Sequence, residues 1–177
     1  MKTTVLLSLM LSLTLSSLSS EARKKSQPTI TEYEGIVESC YDGDTCRVRI
    51  DQKTQKVRFS GIDAPELKQE FGKEARDYLK NLIHLKKVKL KCQGQSWDRK
   101  TCLVFLGLQN INEEMVKKGY AWDSPQYSQK AYHDLMNEAQ KQKLGLWGKN
   151  PISPYCYRKP TSKTCKKDRM AMSAKDL

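Results

Sequence analysis

Acidic side chains and one arginine are concentrated between residues 42 and 66. The stretch begins with Asp42-Gly43-Asp44-Thr45, carries Arg58 partway along and ends with Asp63-Ala64-Pro65-Glu66. Carboxylates without His or Cys among them provide hard oxygen ligands, which suit Ca²⁺ or Mg²⁺ and not zinc. If the strands around them pair as a meander, the two ends of the stretch meet and Asp44 comes close to Asp63. The structural alternative is that Asp42 serves only a turn, while Asp63 and Glu66 cap the following helix.

Alternating apolar residues predict the strands that hold these groups. One face of a strand carries Cys46, Val48 and Ile50, and the arginines between them share the other face. The preceding Asp42-Gly43 pair predicts a hairpin with a primed turn, because glycine accepts the positive φ that such a turn needs. Asp44 is then expected at the mouth of the strand. A third strand over residues 56–61 leads to the bend at Pro65.

Further periodic patterns predict two more strands and three helices. A helix begins near Gly72 and runs to residue 84, a basic and apolar alternation over 87–92 forms a fourth strand, and Arg99 begins a fifth. Asn112 caps a short second helix that ends at Gly119, and a third helix covers 128–143. This order predicts a mainly β fold with helices (α+β), a five-stranded OB-fold Greek-key barrel with three helices. An α+β sandwich is the alternative.

The amino terminus has the layout of a secretory signal peptide. One lysine precedes an uncharged, leucine-rich stretch, and small residues follow before Glu21 and Ala22. We therefore predict a signal peptide over 1–22, a basic leader over 23–30, a main domain over 31–158 and a basic tail over 159–177. Signal removal leaves a secreted or periplasmic protein without stable membrane association. A retained membrane anchor is the alternative, although the uncharged run is barely long enough to span a membrane.

The composition is strongly basic. Lys and Arg number 32 against 20 Asp and Glu, which gives a net charge of +12. Such a charge attracts polyanions. Nucleic acid is the first candidate partner, and an anionic membrane surface or a polysaccharide comes second. With 177 residues and no internal repeat, the chain is expected to form one domain and to act as a monomer.

Six cysteines in an exported chain predict disulfides. Their positions favour a sequential set of pairs, namely Cys40–Cys46, Cys92–Cys102 and Cys156–Cys165. The first two pairs each flank a predicted turn, so their members face each other across a hairpin. Metal binding by these cysteines is disfavoured, because the chain has no Cys-x-x-Cys motif and only two histidines.

Several motifs together resemble the staphylococcal nuclease (thermonuclease) family. They are Tyr41-Asp42-Gly43-Asp44-Thr45, the run RFSGIDAPE over 58–66, the strand at Arg99, the run INEEMV over 111–116, and Gly145-Leu146-Trp147. Their order and spacing match the family over about residues 31–158, and the chain resembles an exported bacterial-type member. The resemblance implies an OB-fold barrel with added helices that uses Ca²⁺ to hydrolyse phosphodiester bonds in DNA and RNA.

The resemblance also implies a metal site and a general base. The two metal carboxylates of the family fall on Asp44 and Asp63. The next position is threonine in the best-known member, where its backbone carbonyl helps to hold the ion. Here it is Ala64, which keeps the carbonyl and loses the hydroxyl. The family's glutamate, which is expected to accept a proton from the attacking water, falls on Glu66.

The remaining implied residues contact the substrate. The family's two arginines fall on Arg58 and Arg99, the second by counting back from the asparagine of the INEEMV run. Tyr127 matches one of the family's tyrosines near the nucleotide, while Pro125 stands where another would be. Tyr127 and Trp97 are therefore candidates for stacking on unpaired bases.

By resemblance, cleavage leaves 3′-phosphate ends. Little sequence specificity is expected, because basic side chains meet phosphates and not base edges. Two alternatives remain open. One is a non-catalytic secreted OB-fold protein that binds nucleic acid or another polyanion, and the other is a secreted structural or adhesion protein that binds acidic glycans.

Overall fold

The computed structural model describes residues 29–93 and 99–166. The predicted signal peptide, most of the leader, Trp97 and the end of the tail lie outside the described residues. The described part contains eight strands: β1 (Ile30–Cys40), β2 (Thr45–Ile50), β3 (Lys53–Phe59), β4 (Ile62–Asp63), β5 (Lys87–Gln93), β6 (Arg99–Leu106), β7 (Gln109–Asn110) and β8 (Trp122–Asp123). The five long strands are β1, β2, β3, β5 and β6.

These five strands close into a barrel. They lie in the order β3-β2-β1-β5-β6, and β3 also pairs in parallel with β6, so the two ends of the sheet meet. The other four pairings are antiparallel. The predicted five-stranded barrel is confirmed. Closure satisfies the backbone groups that an open sheet would leave at its edges.

Apolar side chains from alternate strand positions fill the barrel. Val48, Val57, Phe59, Leu90 and Val104 are all within 1% of full burial. The same core receives Leu79 and Ile83 from the first helix and Met115 from the second. Period-two alternation in the sequence therefore marks the inward faces correctly.

The helical part is more divided than the sequence predicts. The described residues form α1 (Gly72–Ile83), α2 (Ile111–Lys117), α3 (Pro125–Ser128), α4 (His133–Lys141) and α5 (Pro154–Arg158), with a 3₁₀ turn at Gly145–Gly148. The predicted start of the first helix at Gly72 is confirmed. The predicted continuous helix over 128–143 is wrong, because Gln129 and Lys130 have φ values of 53° and 67°. Left-handed residues cannot continue a right-handed helix.

The primed turn lies at a different place from the one predicted. Asp51 and Gln52, between β2 and β3, have positive φ values of 46° and 64°, whereas Asp42 and Gly43 do not have positive φ. The predicted conformation at Asp42-Gly43 is therefore wrong. Glycine is required at position 43 because there is no room for a side chain. A Cβ there would lie 2.7 Å from the Cβ of Ala64 and 2.9 Å from the Cβ of Ala75.

Replacing Gly43 with alanine should destabilise the fold. The added methyl would overlap two buried side chains, and overpacking of this kind costs about 1–3 kcal/mol. Urea unfolding of the variant and the parent measures the difference. Gly148→Ala is the matched control, because its nearest neighbour would be 3.4 Å away. Equal stability of Gly43→Ala and the parent would contradict the close approach.

Asn112 connects strands and does not cap a helix. The cap of α2 is Asn110, whose side chain accepts hydrogen bonds from two backbone N–H groups of the first turn. Asn112 is fully buried. Its Oδ1 accepts the N–H of Val104 at 2.9 Å, and its Nδ2 donates to the carbonyls of Ser60 and Cys102 at 2.8 and 3.3 Å. The predicted cap is thus wrong by two residues, because both asparagines precede the same apolar run.

Replacing Asn112 with alanine should lower the free energy of unfolding by about 2–4 kcal/mol, because two buried and one partly buried backbone group would lose a hydrogen-bond partner. Chemical denaturation measures the loss. Asn81→Ala, at an exposed position of α1, should change stability by less than about 0.5 kcal/mol. A similar small change for Asn112→Ala would show that water replaces these bonds.

Each of the three predicted disulfides is present: Cys40–Cys46, Cys92–Cys102 and Cys156–Cys165. The members of the first two pairs are direct cross-strand partners, in β1–β2 and β5–β6. Disulfides of this kind persist in oxidising compartments. Among the described residues, no helix has the length and apolar character needed to cross a membrane.

Candidate active site

A cleft of about 980 Å³ opens beside the carboxyl end of β3. Charged residues from distant parts of the chain line it, among them Asp42, Arg58, Asp63, Glu66, Arg99 and Arg158. Tyr127 also lines the cleft and is 69% exposed. Asp44 is almost fully buried and does not line the cleft, but it pairs with Arg58, which does. The cleft therefore gathers the residues that the sequence places apart, together with one arginine that it does not indicate.

Barrel closure brings the two predicted arginines together. In the parallel pairing of β3 with β6, Lys56 faces Arg99 and Arg58 faces Thr101. Residues two apart on a strand share a face, so Arg58 and Arg99 lie on the same face of neighbouring strands. This face borders the cleft. The placement of both arginines on the cleft face is thus a consequence of the β3–β6 register.

Two connections bring Asp44 next to the segment that carries Asp63. The carbonyl of Asp44 accepts the N–H of Phe59 at 2.8 Å, which ties the 41–44 loop to the end of β3. The Oδ2 of Asp44 accepts the N–H of Ala64 at 2.6 Å, and its Oδ1 accepts the hydroxyl of Thr45 at 3.0 Å. Asp63 itself is held in β4, which pairs with β8. The two ends of the acidic stretch therefore meet.

Arg58 lies between the two carboxylates. Its Nη1 pairs with the Oδ1 of Asp44, and its Nη2 donates to the Oδ1 of Asp63 at 2.9 Å. Burial lowers the pKa of Arg58, although Asp63 and Asp42 oppose that shift. Burial also raises the pKa of Asp42, against the attraction of Arg58. Arg58, Asp44 and Asp63 form a largely buried charge cluster, so the removal of either carboxylate leaves Arg58 with less compensation for its charge.

Asp63 and Glu66 do not cap the following helix. The N-cap position of α1 is Phe71, and no side chain accepts a hydrogen bond there. The carboxylates of Asp63 and Glu66 point instead to arginines. Asp42 does act within its loop, because its Oδ1 accepts the N–H of Asp44 at 3.1 Å. The turn interpretation therefore applies to Asp42 and not to the two residues after β3.

Arg158 is a functional candidate that the sequence reasoning missed. The predicted boundary makes it the last residue of the main domain and gives it no role, whereas it ends helix α5 and lines the cleft. Its Nη1 donates to Glu66 at 2.6 Å, and its Nη2 donates to Asp63 at 2.8 Å. The hydrogen bond to Asp63 is the main reason that the pKa of Arg158 rises above its usual value. Ser153-Pro154 is a helix-start signal that could have indicated α5.

The oxygen donors of the site fit a hard cation in their chemistry. Asp44 and Asp63 converge on one guanidinium, so a cation between them would meet both carboxylates. Within residues 29–93 and 99–166, however, no three His, Cys, Asp or Glu side chains form a metal-binding group. Two carboxylates and the Ala64 carbonyl would supply only part of the six to eight oxygens that Ca²⁺ takes. Water and substrate oxygens would have to complete the shell.

A comparison with protein families identifies this architecture. Residues 56–149 match the family model described as staphylococcal nuclease homologue. The chain belongs to the staphylococcal nuclease family. The matched segment includes Arg58, Asp63, Glu66 and Arg99, whereas Asp44 precedes it and Arg158 follows it.

Similar proteins share most of this nuclease-family domain. A Haemophilus influenzae protein named uncharacterized endonuclease is 41% identical over 67% of this chain and 68% of its own length. The micrococcal nuclease of Shigella flexneri is 32% identical over 76% of this chain and 85% of its own. The thermonuclease of Staphylococcus hyicus is 35% identical over 60% and 70% respectively. All three names describe nucleases.

Proposed function

We propose that this staphylococcal nuclease family member is a Ca²⁺-dependent phosphodiesterase that hydrolyses DNA and RNA with little sequence specificity. The observation that carries the proposal is the convergence of Asp63 and Glu66 with Arg58 and Arg99 around one cleft. The buried Asp44 joins them through its ion pair with Arg58. A phosphodiester already bears a negative charge, so its hydrolysis needs cationic groups on the phosphate and an oriented water molecule. The cleft provides arginines that can contact the phosphate and a carboxylate that can orient the water.

Arg58 and Arg99 are the phosphate-binding residues of this proposal. A guanidinium can donate two parallel hydrogen bonds to a phosphate, and the two arginines lie on one face of neighbouring strands. They would also stabilise the charge that grows in the five-coordinate transition state. Loss of one such donor costs about 3 kcal/mol of transition-state stabilisation in comparable oxyanion sites.

Glu66 is the proposed general base. Its side chain borders the cleft and is close to Asp63 through their shared contact with Arg158. A carboxylate there can accept the proton of the water that attacks phosphorus. Asp44, Asp63 and the Ala64 carbonyl would hold the calcium ion. Bound calcium would supply Lewis-acid polarisation of a phosphate oxygen.

The remaining parts of the proposal concern products, substrates and location. Cleavage is proposed to leave 3′-phosphate ends. Tyr127 is exposed beside the cleft and is proposed to stack on an unpaired base. The three disulfides support export, so we place the enzyme outside the cytoplasm, secreted or periplasmic, as a monomer.

The test is digestion of 5′-labelled single-stranded DNA and RNA by the purified protein. Cleavage is expected with calcium and should stop when a chelator is added. Treatment of the products with a 3′-phosphatase should shift their gel mobility, because a terminal phosphate is removed. The substitution Arg58→Gln, made in parallel, controls for contaminating nucleases and should lose most of the activity.

Three results would contradict different parts of the proposal. Retained binding of both nucleic acids without cleavage, with or without calcium, would favour the non-catalytic polyanion-binding alternative. Cleavage that continues in the presence of chelator would keep the nuclease and remove the calcium requirement. Products with 5′-phosphate ends would contradict the proposed direction of cleavage alone.

A further inference from the structure

Arg158 forms a fork on the two acidic residues that the proposed mechanism uses most directly. Its Nη1 lies 3.2 Å from Oδ1 of Asp63 and its Nη2 lies 2.8 Å from Oδ2, so both oxygens of this carboxylate are engaged. The same Nη1 donates to Oε1 of Glu66 at 2.6 Å. A planar guanidinium can make these contacts together, whereas a lysine ammonium cannot fork in this way.

The position of Arg158 is fixed by a series of contacts along residues 149–165. The Nε2 of Gln69 donates to the carbonyl of Ile152 at 2.6 Å. The nearby ion pair of Lys149 with Glu70, at 2.9 Å, is exposed and adds little to this anchoring. Helix α5 then begins at a proline and leads to Cys156, which is joined to Cys165. This segment therefore lies along the loop that follows Glu66, and its contacts deliver Arg158 into the cleft.

The Asp63 carboxylate cannot keep all its hydrogen bonds to Arg158 and also coordinate a divalent cation. Its Oδ1 already accepts from Arg58 at 2.9 Å, and both its oxygens accept from Arg158. A calcium ligand must direct an oxygen lone pair at the ion from about 2.3–2.6 Å. A guanidinium on the same carboxylate would compete for that lone pair and repel the ion.

We propose that Arg158 is an intramolecular competitor for the cation: it holds Asp63 and Glu66 and must withdraw from Asp63 when calcium binds. The inference rests on the calcium site of the proposed function. The Arg158 side chain is 41% exposed, so solvent can receive the displaced guanidinium. Its withdrawal also frees Glu66 to accept a proton. Arg158 thereby acts as a positioning residue that couples cation binding to the availability of the base.

The neighbouring Lys159 provides a matched control. It carries the same charge and lines the same cleft, but its Nζ lies over the ring of Tyr155, 5.7 Å from the centroid. Among the described residues it forms no ion pair with a carboxylate. Removal of its charge therefore tests general electrostatic repulsion of calcium, whereas removal of Arg158 tests the specific contact with Asp63.

Calcium titration calorimetry on the full-length protein tests the proposal without substrate. Arg158→Gln should bind calcium about five- to tenfold more tightly than the parent, because a partly exposed fork on a ligand is removed. Lys159→Gln should remain within about twofold of the parent. Unchanged or weaker binding by Arg158→Gln would overturn the proposal, and so would an equal gain in Lys159→Gln.

Two further variants separate the possible failures. Arg158→Lys keeps the charge and loses the forked hydrogen bonds, so its calcium affinity should lie between those of the parent and Arg158→Gln. An affinity equal to the parent's would show that the forked geometry does not contribute to the competition. Asp44→Asn should abolish most binding. If Asp44→Asn loses calcium binding while Arg158→Gln binds calcium like the parent, the calcium site stands and only the proposed competition by Arg158 is contradicted. If no variant binds calcium, the competition and the calcium site fail together, and the cleavage assay decides the nuclease activity.

Discussion

Replacing Glu66 with glutamine should reduce kcat by about 10²–10⁴-fold while leaving nucleic-acid binding nearly unchanged. Glutamine has the same shape and retains an oxygen that can accept the 2.6 Å hydrogen bond from Arg158. It cannot take the proton of an attacking water. Single-turnover cleavage with calcium measures the chemical step, and fluorescence anisotropy with chelator present measures binding.

Glu70→Gln is the matched control for this experiment. Glu70 belongs to the same loop, but its exposed carboxylate pairs with Lys149 and does not line the cleft. Its replacement should leave the rate of cleavage within about threefold of the parent, as expected for an exposed ion pair. If Glu66→Gln instead lost binding and rate in equal proportion, Glu66 would be a substrate-binding residue and not a base.

Local sequence signals were sufficient to predict the five long strands and the disulfides. The alternation around Val48 and Val57 marks inward faces, and Cys40 and Cys46 are placed symmetrically around a short connection. Such signals depend on neighbours along the chain, so packing elsewhere does not alter them. The strand that begins at Arg99 was also predictable from its residues.

The missed features depend on contacts between distant segments. Arg158 and Asp63 are 95 positions apart, and their contact requires the whole path of residues 149–158 along the loop after Glu66. The error at Gly43 has a similar origin. Turn preference describes an isolated peptide, whereas the absence of a side chain at Gly43 is needed by the close approach of Ala64. Neither contact can be predicted from the residues that neighbour Arg158 or Gly43 in the sequence.

Asn112 shows a third kind of limit, in which the residue type is informative but its role is ambiguous. An asparagine before an apolar run suits a helix cap, and this chain has one at 110 and another at 112. The structure uses the first as the cap and buries the second against β6. Only the three-dimensional position of the strand distinguishes a capping side chain from one that cross-links the backbone.

Replacing Asp44 with asparagine should weaken calcium binding by about 100-fold or more and also lower the free energy of unfolding by about 2 kcal/mol. The family resemblance gives Asp44 the role of a metal ligand, which accounts for the first effect. The structure adds the second effect, because Asp44 is almost fully buried and pairs with Arg58. Neutralisation would leave Asp63 as the remaining carboxylate partner of that guanidinium. Titration calorimetry and urea unfolding without calcium measure the two effects separately.

Asp42→Asn tests whether both effects belong to Asp44 in particular. It removes the same charge from the same loop, and asparagine can still accept the N–H of Asp44. Burial raises the pKa of Asp42, so the ionised form is disfavoured in the fold and its removal should not reduce stability at neutral pH. Calcium affinity should fall less than in Asp44→Asn. Equal losses of calcium affinity in the two variants would show that affinity depends on the total negative charge of the loop. Asp44 would then not be a direct ligand.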